Sequence, residues 1–345
     1  MRRVNSWELS PAELNQLLQR PAPEEVTIDA RSQERSRAIF GEPLTPAQAV
    51  ERILGDVRTM GDRAVAHYAR VIDGLEMEPE DFFVSPQEWE EAQLEPKLQE
   101  ALELAYARIK DFHSRQLPNS WFVGGEGGTI LGQRYVPLDR VGIYVPGGSA
   151  PLFSTVLMTA VPAQVAGVKE VIMATPVGKD RKIHPALLVA ARLAGVQRIL
   201  KIGGAQAVAA LAYGTETIPP VDKIVGPGNI FVTLAKKAVF GRVGIDMLAG
   251  PSEILVLADS SANPRHVAAD LLSQAEHDPQ AAAILITPSP GLAQEVEEEL
   301  AVQLAQLHRR ETAQASLERW GLIIICRDLE EGIELANEIA PEHLE

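Results

Sequence analysis

The stretch Arg140–Ala174, RVGIYVPGGSAPLFSTVLMTAVPAQVAGVKEVIMA, carries no charged side chain between Val141 and Val168. A run of that length has the hydropathy of a membrane span. Pro146, Pro151 and Pro162, with Gly142, Gly147, Gly148 and Gly167, instead break it into strand, turn and buried helix. VGIYV and EVIMA then read as strands, and the residues from about Leu152 to Gly167 as the helix between them. Strands separated by a helix of this length imply a right-handed crossover and parallel pairing.

The same alternation continues on the C-terminal side. RILKI and DKIV are strand candidates, and helices are predicted over His184 to Ala194, over Ala205 to Tyr213, and from Asn229 toward Phe240. A turn-rich link, GRVGIDMLAGPS (241–252), precedes a second series with strands EILVLAD, AAAILIT and GLIIIC. Helices near Pro264 to Glu276, Gly291 to Leu307 and Leu329 to Ile339 accompany these strands. The first third reads mainly helical. Thr45 is placed as an N-cap before Pro46, Ser85 before Pro86 with Glu88 at capping-box spacing, and Leu98, Leu102, Ala105, Ile109 and Phe112 form a helical stripe. WFVGGEGGTILGQRYVPLDR (121–140) suggests a hairpin. Two α/β series predict two similarly built domains, with the N-terminal helices completing the second.

Composition narrows the function classes. The 345 residues include 32 Lys and Arg against 47 Asp and Glu, a net charge of −15. No basic stripe exists for a phosphate backbone, so nucleic acid is not an expected partner, and no polybasic membrane anchor is present. MRRVNSWELSPAEL lacks an apolar region after its arginines and does not read as a signal peptide. One cysteine makes no intrachain disulfide and no thiolate metal site, which fits a reducing cytoplasm. Cys326, at the end of an apolar run, reads as a small buried hydrophobe.

Glycine-rich turns at strand ends are the informative motifs. YVPGGSAP (144–151), IGGAQAVAA (202–210) and VGPGNIF (225–231) each follow a strand and lead into a helix. In a parallel sheet, backbone N–H groups and helix N-termini converge there, which suits a phosphate-bearing or anionic ligand. The alternative is a set of tight turns that need glycine. The G-x-G-x-x-G fingerprint and the P-loop are both absent. Tyr144, Gln206 and Asn229 stand at these loops, either as ligand contacts or as turn and capping residues.

Three further places could carry chemistry. SQAEHDP (273–279) puts Gln274 and His277 three residues apart, on one face near a helix end, with Asp270 one turn earlier. They are metal donors by type, although a histidine at a helix C-terminus also interacts well with the dipole. AGPSEI offers Ser252, a better substrate hydrogen-bond donor than nucleophile because G-x-S-x-G is absent. PEHLE (341–345) follows a helix stopped by Pro341 and leaves Glu342 and His343 on an irregular segment, as an acid/base pair or as solvated charge.

RVGIYVPGG, GGAQAVAALAYGT, VGPGN, AGPSEILVLAD, LLSQAEHDP and APEHLE, in this order, closely resemble histidinol dehydrogenase, the zinc- and NAD-dependent enzyme of histidine biosynthesis. The resemblance implies an α/β fold of two Rossmann-like domains with mostly parallel sheets, aldehyde-dehydrogenase-like, plus an N-terminal arm. The boundaries expected are an arm over 1–27, a discontinuous domain of 28–140 and 252–345 carrying metal and catalytic residues, and an NAD-binding domain over 141–251. By the same resemblance, Tyr144, Gln206 and Asn229 match NAD contacts. Ser252, Gln274, His277 and His343 match substrate contacts, Gln274 and His277 match zinc ligands, and Glu342 and His343 match the catalytic pair.

The implied reaction is oxidation of L-histidinol through L-histidinal to L-histidine with two NAD reduced, in a cytoplasmic homodimer. Zinc would act as a template for the substrate, His343 as the base, and Glu342 as the activator of water. Family members continue beyond Glu345, so a C-terminally shortened chain with an incomplete zinc sphere is expected. Two other readings are a paralogue acting on another small polyol, such as a sulfonated propanediol, and a catalytically inactive scaffold.

Overall fold

The computed structural model describes residues 1–18, 30–147, 152–248 and 250–345. Gly148, Ser149, Ala150 and Pro151 of the first glycine-rich loop, residues 19–27 of the expected arm and Ala249 of the link lie outside the described residues. The chain divides into two compact units, Met1–Pro21 with Ala249–Glu345, and Ala22–Leu248.

The first unit opens with β1 (Arg2–Asn5) and α1 (Pro11–Leu18). The expected N-terminal arm is therefore corrected in part. β1 is an edge strand that pairs in parallel with a strand over 300 residues later in the chain, from Arg2 beside Leu322 to Asn5 beside Ile325. The alternating apolar signal that announces a strand is absent in a four-residue edge of pattern Arg-Arg-Val-Asn.

The second unit begins with α2 (Ala30–Phe40), α3 (Pro46–Met60), α4 (Asp62–Asp73), the short α5 (Pro86–Glu90) and α6 (Pro96–Ser114). Thr45 and Gln48 form a complete capping box, with Gln48 N–H donating to Thr45 Oγ1 at 3.3 Å and Thr45 N–H to Gln48 Oε1 at 2.9 Å. Ser85 also caps its helix, but Glu88 does not return the bond: its Oε2 takes Lys201 at 3.4 Å instead. The hairpin is present as β2 (Trp121–Gly124) and β3 (Ile130–Gln133), paired antiparallel.

Next come β4 (Arg140–Tyr144), α7 (Phe153–Val165), β5 (Glu170–Ala174), α8 (Pro185–Leu193) and β6 (Arg198–Leu200). They are followed by α9 (Gly204–Tyr213), β7 (Lys223–Val225), α10 (Ile230–Val239) and β8 (Gly244–Ile245). The sheet is all parallel in the order β6-β5-β4-β7-β8. One face packs on α6, α7 and α8, the other on α3, α4, α9 and α10. The strand order reverses between β4 and β7, and this switch opens a crevice at their carboxyl ends.

Residues 46–114 thus belong to the first α/β series, which corrects the assignment of 28–140 to the discontinuous domain. Val50, Ile53, Leu54 and Val57 of α3 bury against α9 and α10, and Leu102 of α6 against α7. Each fully buried aliphatic side chain contributes roughly 1.5–3 kcal/mol. An amphipathic stripe shows that a helix packs on something apolar, and carries no label for which sheet.

The chain then returns to the first unit with β9 (Glu253–Leu257), α11 (Pro264–Ala275), β10 (Ala282–Thr287) and α12 (Pro290–Leu304). It ends with α13 (Arg310–Trp320), β11 (Leu322–Ile325), α14 (Leu329–Ile339) and β12 (His343–Leu344). This sheet too is all parallel, in the order β1-β11-β10-β9-β12. Cys326 is 2% exposed in the core beside β11, and burial pushes its thiol up, so the reading as a buried hydrophobe holds.

Candidate active site

At the carboxyl edge of the Ala22–Leu248 sheet, two glycine turns meet one proline, Pro176. A Cβ on Gly147 would stand 2.5 Å from Pro176 Cγ, and one on Gly203 2.5 Å from Pro176 Cβ, so both positions require glycine for close approach. Tyr144 ends β4, buried to 4% exposure, and its hydroxyl accepts the Gly204 N–H at 3.0 Å. Burial pushes the phenol up to about 12, so it stays a neutral hydroxyl.

Gln206 lies in the first turn of α9, 1% exposed. Its Nε2 donates to Asp73 Oδ2 at 3.1 Å, while its Oε1 has no partner among the described residues. Asn229 is exposed and caps α10, its Oδ1 accepting from Phe231 N–H at 3.1 Å and Val232 N–H at 3.2 Å. The capping alternative is therefore real for Asn229. Tyr144 and Asn229 stand on the two sides of the β4–β7 switch, and Gln206 follows β6.

Two charged residues that the sequence reading does not single out hold the third turn. Gly226 N–H donates to Asp246 Oδ2 at 2.7 Å, and Lys236 Nζ, on a residue 3% exposed, donates to the Gly226 carbonyl at 2.9 Å and also pairs with Asp246. Gly226 has φ +112, and a Cβ there would overlap the Tyr144 carbonyl oxygen. No local motif marks Lys236 or Asp246; only the folded turn brings them together.

The remaining candidates gather at the amino edge of the other sheet. Ser252 immediately precedes β9, and its carbonyl accepts the Ala282 N–H at 3.0 Å. α11 runs back across the sheet, so its last turn, with Gln274, arrives at the edge where β10 starts. The helix stops at Ala275, so His277 lies on the turn beyond it rather than on a shared helical face. The reason is local. Asp278 precedes Pro279 and is turned away from helix, with Oδ1 accepting Gln280 N–H at 2.7 Å and its carbonyl accepting Ala281 N–H at 2.9 Å. Gln274 is buried to 8% and His277 is exposed.

The segment expected to be irregular after Pro341 is in part a strand. His343 pairs with Ile254 and Leu344 with Leu255, and Glu345 exchanges backbone bonds with Leu255 and Leu257 at 3.0 and 2.9 Å. Ala340, with φ 47, ends α14, and the backbone groups left free by Pro341 are satisfied by pairing with β9. Glu342 and His343 are both exposed, with His343 Nε2 3.9 Å from Glu342 Oε1.

The residues at the first edge fit NAD: an orphaned, buried amide oxygen stands at the glycine turn after β6, on the same carboxyl edge as the β4–β7 switch. Gln274 and His277 offer, by residue type, one oxygen and one nitrogen of the kind that zinc accepts. Among the described residues no cluster of three or more His, Cys, Asp or Glu could hold a metal ion, so these two do not make a closed zinc site by themselves. No helix among the described residues is long and apolar enough to cross a membrane.

The sequence model of histidinol dehydrogenase matches residues 42–345. The histidinol dehydrogenase of Aquifex aeolicus is 57% identical over 300 residues, covering 86% of this chain and 69% of its own length. That of Prochlorococcus marinus is 54% identical over 298 residues, covering 86% and 67%. The crystal structure of histidinol dehydrogenase from Elizabethkingia anophelis aligns with a TM-score of 0.84 at 37% identity, over 100% of this chain and 75% of that one. With a family match over nearly the whole chain, and relatives above half identity, this chain belongs to the histidinol dehydrogenase family.

Proposed function

We propose that this chain is an oxidoreductase acting on L-histidinol, in which Tyr144, Gln206 and Asn229 face NAD. Ser252, Gln274, His277 and His343 then face the substrate, and Gln274 and His277 are zinc ligands. The observation that carries the reading is the gathering of Ser252, Gln274, His277, Glu342 and His343, spread over 91 positions of sequence, at one edge of one parallel sheet.

NAD, when bound, supplies the hydride acceptor for each of two oxidations. His343 removes the hydroxyl proton of the alcohol as the first hydride leaves its carbon, which yields the aldehyde. Glu342 takes a proton from water as it adds to the aldehyde. The resulting hydrate gives a second hydride to NAD and its two O–H protons to solvent, leaving the carboxylate of L-histidine. Cys326, buried beside β11, forms no thioester. In this reading Gln274 and His277 would hold zinc, which would fix the substrate for hydride transfer, the positioning role of a metal ligand pair.

We read the protein further as a cytoplasmic homodimer, a state that sedimentation analysis tests directly. The test of the activity is NADH formation by the purified protein. The expected result is two NADH per L-histidinol consumed, with L-histidine as product. NADH formed only with other alcohols, or none with histidinol, overturns the reading.

A further inference from the structure

The Gln206 amide is held at one end only. Nε2 donates to Asp73 Oδ2 at 3.1 Å, and Oε1 is buried without a partner among the described residues. A buried carbonyl oxygen left unpaired costs about 1–3 kcal/mol, so one that persists calls for a donor from outside the chain, a ligand or a water. Oε1 sits at the Gly204 turn, where a Cβ would come within 2.7 Å of it, and Gly204 N–H is already committed to the Tyr144 hydroxyl. The oxygen thus has its place in the turn at the N-terminus of α9, next to the residue that closes β4.

Asp73 is built to stay where it is. It is the last residue of α4, followed by Gly74 in the left-handed region (φ 71), whose N–H donates to the Ala69 and Arg70 carbonyls. Ala64, Val65, Tyr68 and Ala69 of the same helix are core residues. Burial raises the Asp73 carboxyl, opposed by the Arg35 guanidinium and by the bond from Gln206. Arg35 itself is fixed by donation from Nη2 to the Ile72 carbonyl at 2.9 Å.

A carboxylate only accepts hydrogen bonds, so it selects one of the two ways an amide can face it. With nitrogen turned to Asp73, oxygen is turned away from it. A glutamine free to flip would present NH2 to the ligand half the time.

We propose that Asp73 is a positioning residue for the cofactor: it locks the Gln206 amide so that Oε1 is offered to a hydroxyl or amide N–H donor of bound NAD. This rests on the reading of Gln206 as an NAD contact. Asp73 touches no reacting atom, and acts only through Gln206.

The test is a double-mutant cycle read by calorimetric titration of the protein with NAD. Asp73→Leu, which removes the acceptor, raises the Kd for NAD about tenfold, and Gln206→Ala does the same, within the range of coupled buried contacts. In the Gln206→Ala background, Asp73→Leu adds nothing. Asp73→Glu, which restores a carboxylate, recovers a substantial part of the loss, and kcat at saturating NAD changes less than about twofold in Asp73→Leu, because only ground-state binding is affected. If Asp73→Leu does not fold, Asp73→Asn runs the same cycle with a smaller rise, about threefold, since an asparagine can face the amide both ways.

A full effect of the Asp73 variant persisting in the Gln206→Ala background overturns the proposal, because the role is then structural. So does a normal Kd for the Asp73 variants when Gln206→Ala weakens binding, which leaves the reading of Gln206 intact. An unchanged Kd for Gln206→Ala overturns both.

Discussion

Lys236 donates its ammonium to the Gly226 carbonyl at 2.9 Å from a position that is 3% exposed. Asp246 takes the N–H of the same glycine, so both polar groups of one residue in the VGPGN turn are tied to a charged pair. Removing the lysine strands a carboxylate and a carbonyl together. Lys236→Met is expected to cost about 2–4 kcal/mol, at the lower end for a broken buried pair because Asp246 is partly solvated. Urea unfolding measures it; a variant within about 0.5 kcal/mol of the parent shows that the clamp contributes only geometry.

Gly226 makes the complementary prediction. At φ +112 an L side chain is strained, and a Cβ would overlap the Tyr144 carbonyl oxygen at the heart of the β4–β7 switch. Backbone cannot yield here as a flexible side chain can. Gly226→Ala should therefore lose more than about 3 kcal/mol of stability, strain and overlap combined, or fail to accumulate as folded protein. A near-normal melting temperature would refute the claimed close approach.

These clamps show where the sequence stops being legible. The Thr45 cap is readable because an N-cap before a first-turn proline is a local pattern, whereas the capping box expected at Ser85–Glu88 forms instead at Thr45–Gln48. β4, β5, β9 and β10 are readable because each apolar run is bounded by its own glycines, prolines or polar turns. α13 is harder to see: it buries only Ala313, Ser316 and Leu317, too thin a stripe to stand out. β1 is a strand because β11 is there to pair with it, and that partner is fixed only in the folded chain. The same holds at the site. Tyr144, Gln206, Gln274 and His343 stand out as candidates through their motifs, whereas Asp73 reaches Gln206 across 133 positions and Lys236 acts on a carbonyl that any residue would have.

α14 carries the chain toward Glu342 and His343, and its first turn is held by Glu331. That carboxylate accepts from Arg327 N–H at 2.6 Å, Nε at 3.1 Å and Nη2 at 3.1 Å. The arginine bonds hold its carboxyl below the ordinary value of 4.5. Since the folded protein binds this proton less readily than the unfolded chain, the contribution is fully present above 4.5 and is lost as pH falls through the depressed folded value. Glu331→Gln should accordingly be less stable than the parent at pH 7, with the gap closing below pH 4.5. A gap that is constant with pH argues against the ion pair as its source.

Metal and cofactor should separate by edge. Gln274 and His277 belong to the sheet with β10, whereas Gln206 belongs to the sheet with β6. In our reading, Gln274→Ala or His277→Ala lowers the zinc content of the purified protein, read by elemental analysis, and weakens histidinol binding. The Kd for NAD in the absence of substrate should remain within about twofold. Zinc content equal to the parent in both variants removes these residues as ligands.

His343 and Glu342 are neighbours with different proposed duties, and the two oxidations distinguish them. His343 stands in register with Ile254, so His343→Ala leaves the β12–β9 ladder in place while removing the imidazole. Loss of a general base costs about 10²–10⁴ in rate. His343→Ala should therefore slow histidinol oxidation by that factor, measured as single-turnover NADH formation, with NAD binding unchanged. Glu342→Gln should instead leave the first hydride transfer nearly intact and slow the second, so that supplied L-histidinal is oxidised poorly and NADH per histidinol falls from two toward one. Equal slowing of both steps by Glu342→Gln contradicts a role confined to water activation, and undiminished turnover in His343→Ala removes His343 as the base.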